Sequence, residues 1–283
     1  MRDTRQPLVS VCVPVYNGAT YLREALASVI DQTYTRIEII VIDDMSTDDS
    51  WGIVNSFADS RIVAVRNANN LGPEANFNKL LAAATGEYVK LFGQDDVLAP
   101  DCLALQVRAL EDRPSAVLAF SKRRIIGPKG EHFLYRGPGL EPGVISGPRL
   151  IKACLSKGTN VIGEPAAVLF RRSAVEVVGQ FSARFPYVID LDYWVRLLRR
   201  GEAVYSDKPL ACFRVSPRQW SVAIAGRQAH DFIQFISTHP AFHEYRNNPL
   251  LMLFAKLRVH ANSLLRTTFY SLFIRASSAR SLP

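Results

Sequence analysis

Two short apolar strands joined by an amphipathic helix occupy residues 9–49 of this 283-residue chain, and each strand ends abruptly in polar residues. The runs Leu8–Val15 and Ile37–Ile42 are rich in β-branched residues, as strands buried on both faces are. Between them, Leu22–Ile30 repeats its apolar residues at helical intervals. The pattern predicts a βαβ unit with parallel strands, and open sheets of this kind bind ligands outside the carboxyl ends of their strands.

Polar residues mark the ends of three predicted strands. These ends carry Tyr16, Asn17, Asp43, Asp44, Asp95 and Asp96, together with Pro14. Two adjacent carboxylates repel each other unless a cation or basic group lies between them, and hard divalent cations take oxygen ligands and complete their shell with substrate phosphates. The alternative for Asp95 and Asp96 is an acidic capping turn before Pro100. An aspartate of the earlier pair can accept a hydrogen bond from a base or ribose, and Tyr16 can stack on a base or lie in the core.

The alternation of strands and helices continues to residue 120 and predicts an α/β domain. The predicted elements are helices over Ser50–Phe57, Glu74–Ala84 and Pro100–Leu110 and strands over Arg61–Arg66, Tyr88–Phe92 and Ala116–Phe120. Later segments are a long loop over Gly127–Pro148, a strand over Gly163–Arg172, and helices over Ser173–Val178, Asp190–Arg200 and the region from Gln219 onward. No glycine-rich phosphate-binding motif follows the first strand, so a bound nucleotide must be held by other means.

The chain carries 34 Lys and Arg residues against 26 Asp and Glu, a formal net charge of +8. Acidic substrates, anionic lipid surfaces and nucleic acids all suit such a charge. The sequence has no helix-turn-helix pattern, zinc-finger spacing or aromatic RNA-binding signature, so no nucleic-acid partner is expected. No apolar run approaches the ~20 residues that cross a bilayer.

The cysteines stand singly in apolar contexts, at Cys12, Cys102, Cys154 and Cys212. This usage is typical of buried thiols in a reducing compartment. Because the first apolar run belongs to a strand, no signal peptide is expected, and the sequence favours a cytoplasmic location.

An apolar stripe recurs at helical spacing in Leu250–Leu272, opposite polar and basic residues that include Lys256 and Arg266. The stripe consists of Leu250, Leu253, Phe254, Leu257, Ala261, Leu264 and Leu265. One interpretation is a helix packed on its own domain or on a second subunit. The other is a basic amphipathic helix that rests peripherally on the cytoplasmic face of the membrane. No sequence feature fixes the oligomeric state.

Several of these motifs together resemble family 2 glycosyltransferases of the GT-A fold, across roughly residues 8–215. The motifs are Val9–Asp49, Asn69-Asn70-Leu71-Gly72, Gly86-Glu87-Tyr88, Gln94-Asp95-Asp96 and Pro100. The resemblance implies a Rossmann-like mixed α/β sheet flanked by helices, here with a C-terminal helical extension. We expect a nucleotide-sugar half over residues 1–115, an acceptor half over 116–217 and a helical segment over 218–283.

The resemblance also implies site residues for a nucleoside diphosphate sugar. Pro14, Tyr16, Asn17 and Asp43 would line the nucleotide pocket and Asp44 would read the base, with uridine favoured. Asp96 would bind Mn²⁺ or Mg²⁺ on the diphosphate, with Asp95 beside it near the ribose or sugar. A bound cation can stabilise the departing diphosphate by several kcal/mol.

The segment VIDLDYWVRLLRRG resembles the acceptor-side motif of the family, which makes Asp190 the expected base and Asp192 its near competitor. A single base carboxylate on the acceptor side implies inversion at the anomeric carbon. The chain departs from the family pattern twice. Ile189 stands where glutamate is common, and Ser216 stands where many relatives have a histidine that completes the metal shell.

The processive-synthase motif Q-x-x-R-W is absent, so transfer of a single sugar to a glycan or lipid-linked glycan is expected, with Glu164 and Arg172 as candidate acceptor contacts. Glu164 can equally be a turn residue. A non-catalytic nucleotide-binding scaffold is the alternative from another class. A sugar-phosphate nucleotidyltransferase is disfavoured, because its glycine-rich loop after the first strand is absent.

Overall fold

Strands and helices alternate through the first half of the chain in the computed structural model, which describes residues 6–217 and 219–279, with side chains up to residue 270. The elements of this half are β1 (Val9–Val15), α1 (Ala19–Ile30), β2 (Ile37–Asp43), α2 (Ser50–Asn55), β3 (Ile62–Arg66), α3 (Gly72–Ala83), β4 (Tyr88–Leu91), β5 (Val97–Leu98) and α4 (Cys102–Glu111). The predicted alternation is therefore confirmed.

The second half adds five strands and six helices among the described residues. They are β6 (Ala116–Ile126), β7 (His132–Arg136), β8 (Gly143–Ser146), α5 (Gly147–Lys157), β9 (Val168–Arg171), α6 (Val175–Val178), α7 (Ile189–Leu198), β10 (Glu202–Arg214), α8 (Trp220–Ala223), α9 (Gln228–Thr238) and α10 (Pro249–Ala279). Short 3₁₀ turns lie at Pro165–Ala167, Arg172–Ala174, Pro186–Val188, Ala225–Arg227 and Pro240–Asn247. None of the described helices is long and apolar enough to cross a membrane.

The ten strands of the described residues form one sheet in the order β3-β2-β1-β4-β9-β6-β10-β5, with β7 on β6 and β8 on β10. β1 pairs in parallel with β2 on one side and with β4 on the other. The strand order therefore reverses at β1, and open α/β sheets bind ligands at such a switch point. The polar residues that follow β1 and β4 meet there.

Helices cover both faces of the sheet because the central strands are apolar on both sides. On β1, Val9, Val11 and Val13 face a core with α1 and α4, whereas Cys12 faces a second core with α3, α5 and α7. Burying each such aliphatic side chain stabilises the fold by about 1.5–3 kcal/mol. All four cysteines are free thiols, and only Cys212 is partly exposed.

The loop predicted over Gly127–Pro148 is wrong in part. The chain turns at Gly130, which has φ +78°, and returns as β7 antiparallel to β6, and β8 then pairs with β10. The local sequence is poor in β-branched residues, so pairing with strands distant in sequence decides its structure.

The strand predicted over Gly163–Arg172 is also shorter than expected. Pro165–Ala167 forms a 3₁₀ turn, and only Val168–Arg171 is a strand. Proline has no N–H to give to a strand ladder, so the pairing begins after it.

An aromatic cluster beneath α7 fixes the position of that helix. Phe181 stacks on Tyr193 with ring centroids 3.9 Å apart, and Phe170 lies 5.7 Å from Trp194. Asn78 on α3 holds the backbone of Phe181, since its side chain accepts from the Phe181 N–H and donates to the Phe181 carbonyl at 2.8 and 3.0 Å. The start of α7 is therefore held rigidly over the sheet.

Phe181→Ala should lower the free energy of unfolding by about 3–5 kcal/mol, because it leaves a cavity against Tyr193. Urea unfolding followed by circular dichroism measures the change. The matched control is Val177→Ala, an exposed apolar residue nearby, which should change stability by less than about 0.5 kcal/mol. If Phe181→Ala lowers the free energy of unfolding by less than about 1 kcal/mol, the neighbouring side chains must fill the cavity that the substitution leaves.

Candidate active site

A single open cavity of about 1050 Å³ lies at the carboxyl ends of β1 and β4 and continues under α10. One half is lined by the segments after β1 and β4, and the other by β7, the start of α7, α8 and α10. We call these the donor half and the acceptor half. Concave sites with few convergent polar groups, placed at a sheet's switch point, are where small-molecule ligands bind.

The segment after β1 forms a wall of the donor half. Pro14 and Tyr16 line the cavity, and the Tyr16 ring is about half exposed. The side chain of Gln94 accepts from the Tyr16 N–H at 2.9 Å and donates to the Tyr16 carbonyl at 3.0 Å. A Cβ on Gly18 would lie 2.2 Å from Gln94, so glycine permits this contact. The exposed Tyr16 ring therefore stands on a fixed backbone and can stack on a base.

Asn17 joins the segments after β1 and β2. Its backbone N–H donates to Ser46 Oγ at 2.9 Å, and its side-chain oxygen accepts from the Thr47 N–H at 2.8 Å. Asn17 has φ +50°, a left-handed conformation that asparagine tolerates better than most residues. Asn17 lines the cavity, but its amide oxygen is already engaged in this bridge.

Asp44 also lines the donor half and organises the loop before α3. Its carboxylate accepts from Asn67 Nδ2 at 2.7 Å and from the backbone N–H groups of Leu71 and Gly72 at 2.9 Å. A carboxylate accepts about four hydrogen bonds, so Asp44 retains capacity for one more donor. That capacity matches the donor on a nucleotide base.

Asp43 is fully buried behind this wall and is absent from the cavity lining. It pairs with Arg66 at 3.0 Å and accepts from the Ser46 N–H at 3.2 Å. Among the described residues it therefore fixes the loop after β2 and does not itself line the cavity.

Asp95 and Asp96 lie side by side in the turn after β4, where both line the cavity. Burial raises the pKa of Asp95 to about 6. Burial, and then the charge of Asp95, raises the pKa of Asp96 well above its ordinary value. Two neighbouring carboxylates, of which Asp96 is buried, repel each other in this way and suit a divalent cation, whose charge would remove the repulsion.

No group of three or more His, Cys, Asp or Glu side chains converges on a metal position within the described chain. Ser216, which the family resemblance places where a metal-binding histidine is expected, is buried and lines the cavity. A cation here would therefore take carboxylate oxygens from Asp95 or Asp96 and the rest of its shell from substrate and water, as Mg²⁺ commonly does.

Arg214, at the end of β10, holds the acidic turn in place. Its backbone N–H donates to Asp96 Oδ1 at 3.0 Å, and its guanidinium donates to the Asp95 carbonyl at 2.8 Å and to Glu24 at 2.7 Å. The guanidinium also lies 4.5 Å from the Tyr21 ring. The residue is only 1% exposed, and none of the sequence motifs indicates this role for it.

Asp190 lies at the start of α7 and reaches the acceptor half. Asn160 Nδ2 donates to its Oδ2 at 3.0 Å, and the Leu191 N–H donates to its Oδ1 at 2.7 Å. Burial, and then the charge of Glu164, raises the pKa of Asp190 to about 7. An oriented carboxylate with a pKa near neutrality has the properties of a general base.

Glu164 lines the same half and forms an ion pair with Arg123, a buried residue on β6 that the sequence did not reveal as part of the site. Burial alone would raise the pKa of Glu164, but Arg123 and then Arg136 hold it below its ordinary value. Glu164 is therefore an anion at neutral pH and acts on Asp190 through its charge.

Two further predicted acceptor residues lie outside the cavity lining. Asp192 pairs with Arg196 at 2.9 Å and lies 3.6 Å from His239, so it belongs to the packing behind α7. Arg172 donates to the Gly86 carbonyl at 2.8 Å, at the amino end of β4 and thus at the opposite edge of the sheet. The structure brings neither of them to the candidate site.

Comparisons with known proteins agree with this arrangement. Residues 10–179 match the model of glycosyl transferase family 2. An uncharacterized protein of Mycobacterium tuberculosis is 32% identical over 74% of this chain and 67% of its own length. The Escherichia coli UDP-Glc:alpha-D-GlcNAc-diphosphoundecaprenol beta-1,3-glucosyltransferase WfaP is 29% identical over 69% of this chain and 71% of its own.

Solved structures share the fold. Staphylococcus aureus TarS in complex with UDP-GlcNAc superposes with a TM-score of 0.65 at 20% identity, over 82% of this chain and 64% of TarS 1–349. The mannosyltransferase PcManGT from Pyrobaculum calidifontis, in complex with GDP-Man and Mn²⁺, gives 0.64 at 20% identity over 99% of this chain and 77% of its own. The GT-A fold predicted from the sequence, with its C-terminal helical segment, is confirmed.

The raised pKa of Asp190 predicts how stability depends on pH. The folded state binds this proton more tightly than the unfolded state, so the contribution of Asp190 to stability falls as pH rises from about 4 to about 7. Asp190→Asn removes this dependence. Its unfolding free energy relative to wild type should therefore rise by about 3 kcal/mol between pH 4.5 and pH 8, measured by urea unfolding.

The control is Asp59→Asn, where a hydrogen bond from Arg61 lowers the pKa of the carboxyl. A lowered pKa contributes stability that is fully present above about pH 4 and is lost only on further acidification, so the unfolding free energy of this variant relative to wild type should stay nearly constant between about pH 4.5 and pH 8. Equal pH trends for Asp190→Asn and wild type would contradict the raised pKa.

Proposed function

The chain belongs to glycosyltransferase family 2, and we propose that it transfers a single sugar from a nucleoside diphosphate sugar, with UDP favoured, to a glycan or lipid-linked glycan acceptor with inversion. The observation that carries the proposal is the pairing of two kinds of carboxylate in one cavity. Asp95 and Asp96 line the donor half, and Asp190 lines the acceptor half. The first pair suits a metal-bound diphosphate and the second site suits a base.

The reaction requires Asp190 to take a proton from an acceptor hydroxyl. As the hydroxyl oxygen bonds to the anomeric carbon, the bond from that carbon to the diphosphate oxygen breaks, and its electron pair leaves with the diphosphate. Asn160 and the Leu191 N–H act as positioning groups that fix the carboxylate oxygens. Attack from the side opposite the leaving group inverts the configuration of the sugar.

The donor half would hold the diphosphate beside Asp95 and Asp96 through a divalent cation, Mn²⁺ or Mg²⁺. Such a cation, when bound, neutralises the charge that builds on the leaving diphosphate. The acidic turn itself is held by Arg214, which keeps both carboxylates at the end of β4. PcManGT in complex with GDP-Man and Mn²⁺ supports a cation in this fold.

The choice of nucleotide rests on the wall that faces the base. Tyr16 offers a half-exposed ring for stacking, and Asp44 has capacity for one more hydrogen-bond donor. An imide N–H, as in uracil, is such a donor. WfaP is named for UDP-Glc, and TarS was solved with UDP-GlcNAc, which supports uridine.

We place the reaction in the cytoplasm, on the cytoplasmic face of the membrane when the acceptor is lipid-linked. The free thiols support a reducing compartment. WfaP is named for an acceptor attached to diphosphoundecaprenol, which supports a lipid-linked glycan. Glu164, an anion in the acceptor half, is the candidate contact for acceptor hydroxyls.

The alternative from another class is a non-catalytic nucleotide-binding scaffold. Ser216 in place of the metal-binding histidine favours it, because the protein then gives a cation only carboxylates. The raised pKa of Asp190 opposes it, since a scaffold does not need a partly desolvated carboxylate that costs stability at neutral pH.

Asp190→Asn should lower kcat by about 10²- to 10⁴-fold, because it removes the base while leaving the donor half intact. Release of nucleoside diphosphate from UDP-glucose, UDP-GlcNAc or GDP-mannose, with GlcNAc-diphosphoundecaprenol as first acceptor, measures turnover. The wild-type rate should rise with pH through about pH 7, as Asp190 loses its proton.

The matched control is Asp192→Asn, two residues along the same helix but outside the cavity, which should retain kcat within several-fold once its folding is verified. Full activity in Asp190→Asn, or loss in Asp192→Asn alone, would overturn the assignment of the base. Absence of turnover with every donor and acceptor would favour the scaffold.

A further inference from the structure

Two arginines of the acceptor half lack an acidic partner. Within the described residues, no hydrogen bond or ion pair engages the Arg136 guanidinium, which lines the cavity from β7. Arg266, on α10, donates to the hydroxyl groups of Tyr187 and Thr159, which carry no charge. Both arginines therefore present positive charge to whatever occupies this half.

The charges around them leave an excess of positive charge. Three guanidinium groups, of Arg123, Arg136 and Arg266, meet two carboxylates, of Glu164 and Asp190. Glu164 is satisfied by its ion pair with Arg123. Desolvation in the cavity, and then the charge of Arg266, lowers the pKa of Arg136, because the charge of Glu164, which is paired with Arg123, offsets them only in part. A bound anion beside Asp190 would neutralise the remaining positive charge.

The wall beyond these arginines is apolar. A small cluster of Ile125, Val215 and Tyr270 is extended by Phe133 and Phe269, whose rings meet edge-on at 5.6 Å. Leu134, Trp220 and Leu265 line the mouth of the cavity and remain exposed. A hydrocarbon chain would gain more free energy than a polar sugar by covering this apolar surface.

The mouth continues onto the exposed stripe of α10. Leu265 belongs to both and is 69% exposed, and Leu250, Leu253, Phe254, Leu257 and Leu264 are each more than half exposed. The helix packs on its own domain, as one interpretation had it, but through Met252, Ala255 and Val259 and not through the stripe. From residue 250 to 265 the stripe extends about 22 Å along the helix.

The side of α10 that faces the domain packs through Met252, Ala255 and Val259 and adds hydrogen bonds from polar side chains. Arg258 donates to the Ser156 carbonyl, and Asn262 donates to the Lys157 and Gly158 carbonyls, at the end of α5. The helix thus buries one apolar strip against the domain and leaves a second, the stripe, exposed, whereas a helix on a water-soluble surface exposes mainly polar residues.

The charge around the stripe matches an anionic surface. Neither α5 nor α10 contains Asp or Glu, whereas the basic side chains of Arg149 and Lys152 on α5 are exposed and that of Lys256 on α10 is partly exposed. Apolar burial and attraction of Lys and Arg to anionic lipids add together at a bilayer surface. A second copy of this basic helix would instead bring like charges together.

We propose that the acceptor is a saccharide joined through phosphate to a membrane lipid, that Arg136 and Arg266 bind its phosphate, and that its chain leaves over Leu265 to a bilayer on which α10 rests. This rests on the proposed function. Phosphate is the anion for which paired arginines are best suited, because their forks donate to its oxygens at fixed geometry. The acceptor sugar then lies between this phosphate and the donor half, beside Asp190.

Three acceptors that carry the same sugar separate the parts of the proposal: a diphosphate-linked isoprenoid in vesicles, the soluble sugar 1-phosphate, and a neutral alkyl glycoside. Arg136→Gln should raise KM for the first two by about 10- to 100-fold, the range expected on losing one charge-assisted hydrogen bond, and leave KM for the glycoside and for the donor unchanged. The double variant Phe254→Glu, Leu257→Glu should raise KM for the vesicle acceptor alone.

Co-sedimentation gives a readout that does not depend on turnover. Wild type should sediment with vesicles of phosphatidylcholine and phosphatidylglycerol and detach as salt is raised, whereas the double stripe variant should stay in solution. The control is Val177→Glu, which alters an exposed apolar residue on α6 and should bind vesicles like wild type.

The results separate failure of the proposed function from failure of the phosphate subsite or of the membrane surface. If wild type transfers sugar to none of the three acceptors, the proposed function fails. If wild type transfers sugar but Arg136→Gln matches it on all three, the phosphate subsite is overturned. Vesicle binding by the stripe variant, or a wild-type dimer in size exclusion that the stripe variant dissociates, overturns the membrane surface.

Discussion

The buried guanidinium of Arg214 is the interaction on which the donor half of the cavity depends. Placing a guanidinium in the interior costs several kcal/mol unless its donors are satisfied. Here they meet Glu24, the Asp95 carbonyl and the carbonyls of Gly127 and Pro128, so one side chain ties together α1, the turn after β4 and the β6–β7 hairpin. The acidic pair keeps its place at the sheet's switch point because those segments cannot separate.

The two halves of the cavity carry charged side chains of opposite sign. The donor half presents Asp95 and Asp96, which favour a cation, and the acceptor half presents Arg136 and Arg266, which favour an anion. Asp190 lies in the acceptor half, and its pKa is near neutrality. At neutral pH it can therefore accept a proton and release it again. This division gives each end of a two-substrate reaction its own electrostatic environment.

Sequence reasoning located the parts of the site that follow from strand ends. Asp44 follows β2, and Asp95 and Asp96 follow β4, so their convergence could be predicted once both strands are placed parallel to β1. Arg172 could not be placed in the same way, because β9 runs antiparallel to β4 and its end lies at the other edge. The direction of a strand is set by pairing, which a local pattern does not contain.

Residues that come from different elements of the chain could likewise not be predicted from a local sequence pattern. Arg123 on β6, Arg136 on β7 and Arg266 on α10 meet only after folding, and no spacing along the chain links them. The apolar stripe of α10 was visible in the sequence, but its outward direction depends on the hydrogen bonds that Arg258 and Asn262 make to the end of α5.

Isothermal titration of the purified protein with UDP, GDP, dTDP and CDP, each with and without Mn²⁺, tests the central claim most directly. The account predicts that one diphosphate, UDP first, binds at least about 10-fold more tightly with Mn²⁺, and that Asp96→Asn removes this gain while keeping the fold. Binding of no diphosphate under any condition, or metal-independent binding that Asp96→Asn leaves unchanged, would contradict a metal-assisted donor site at the end of β4.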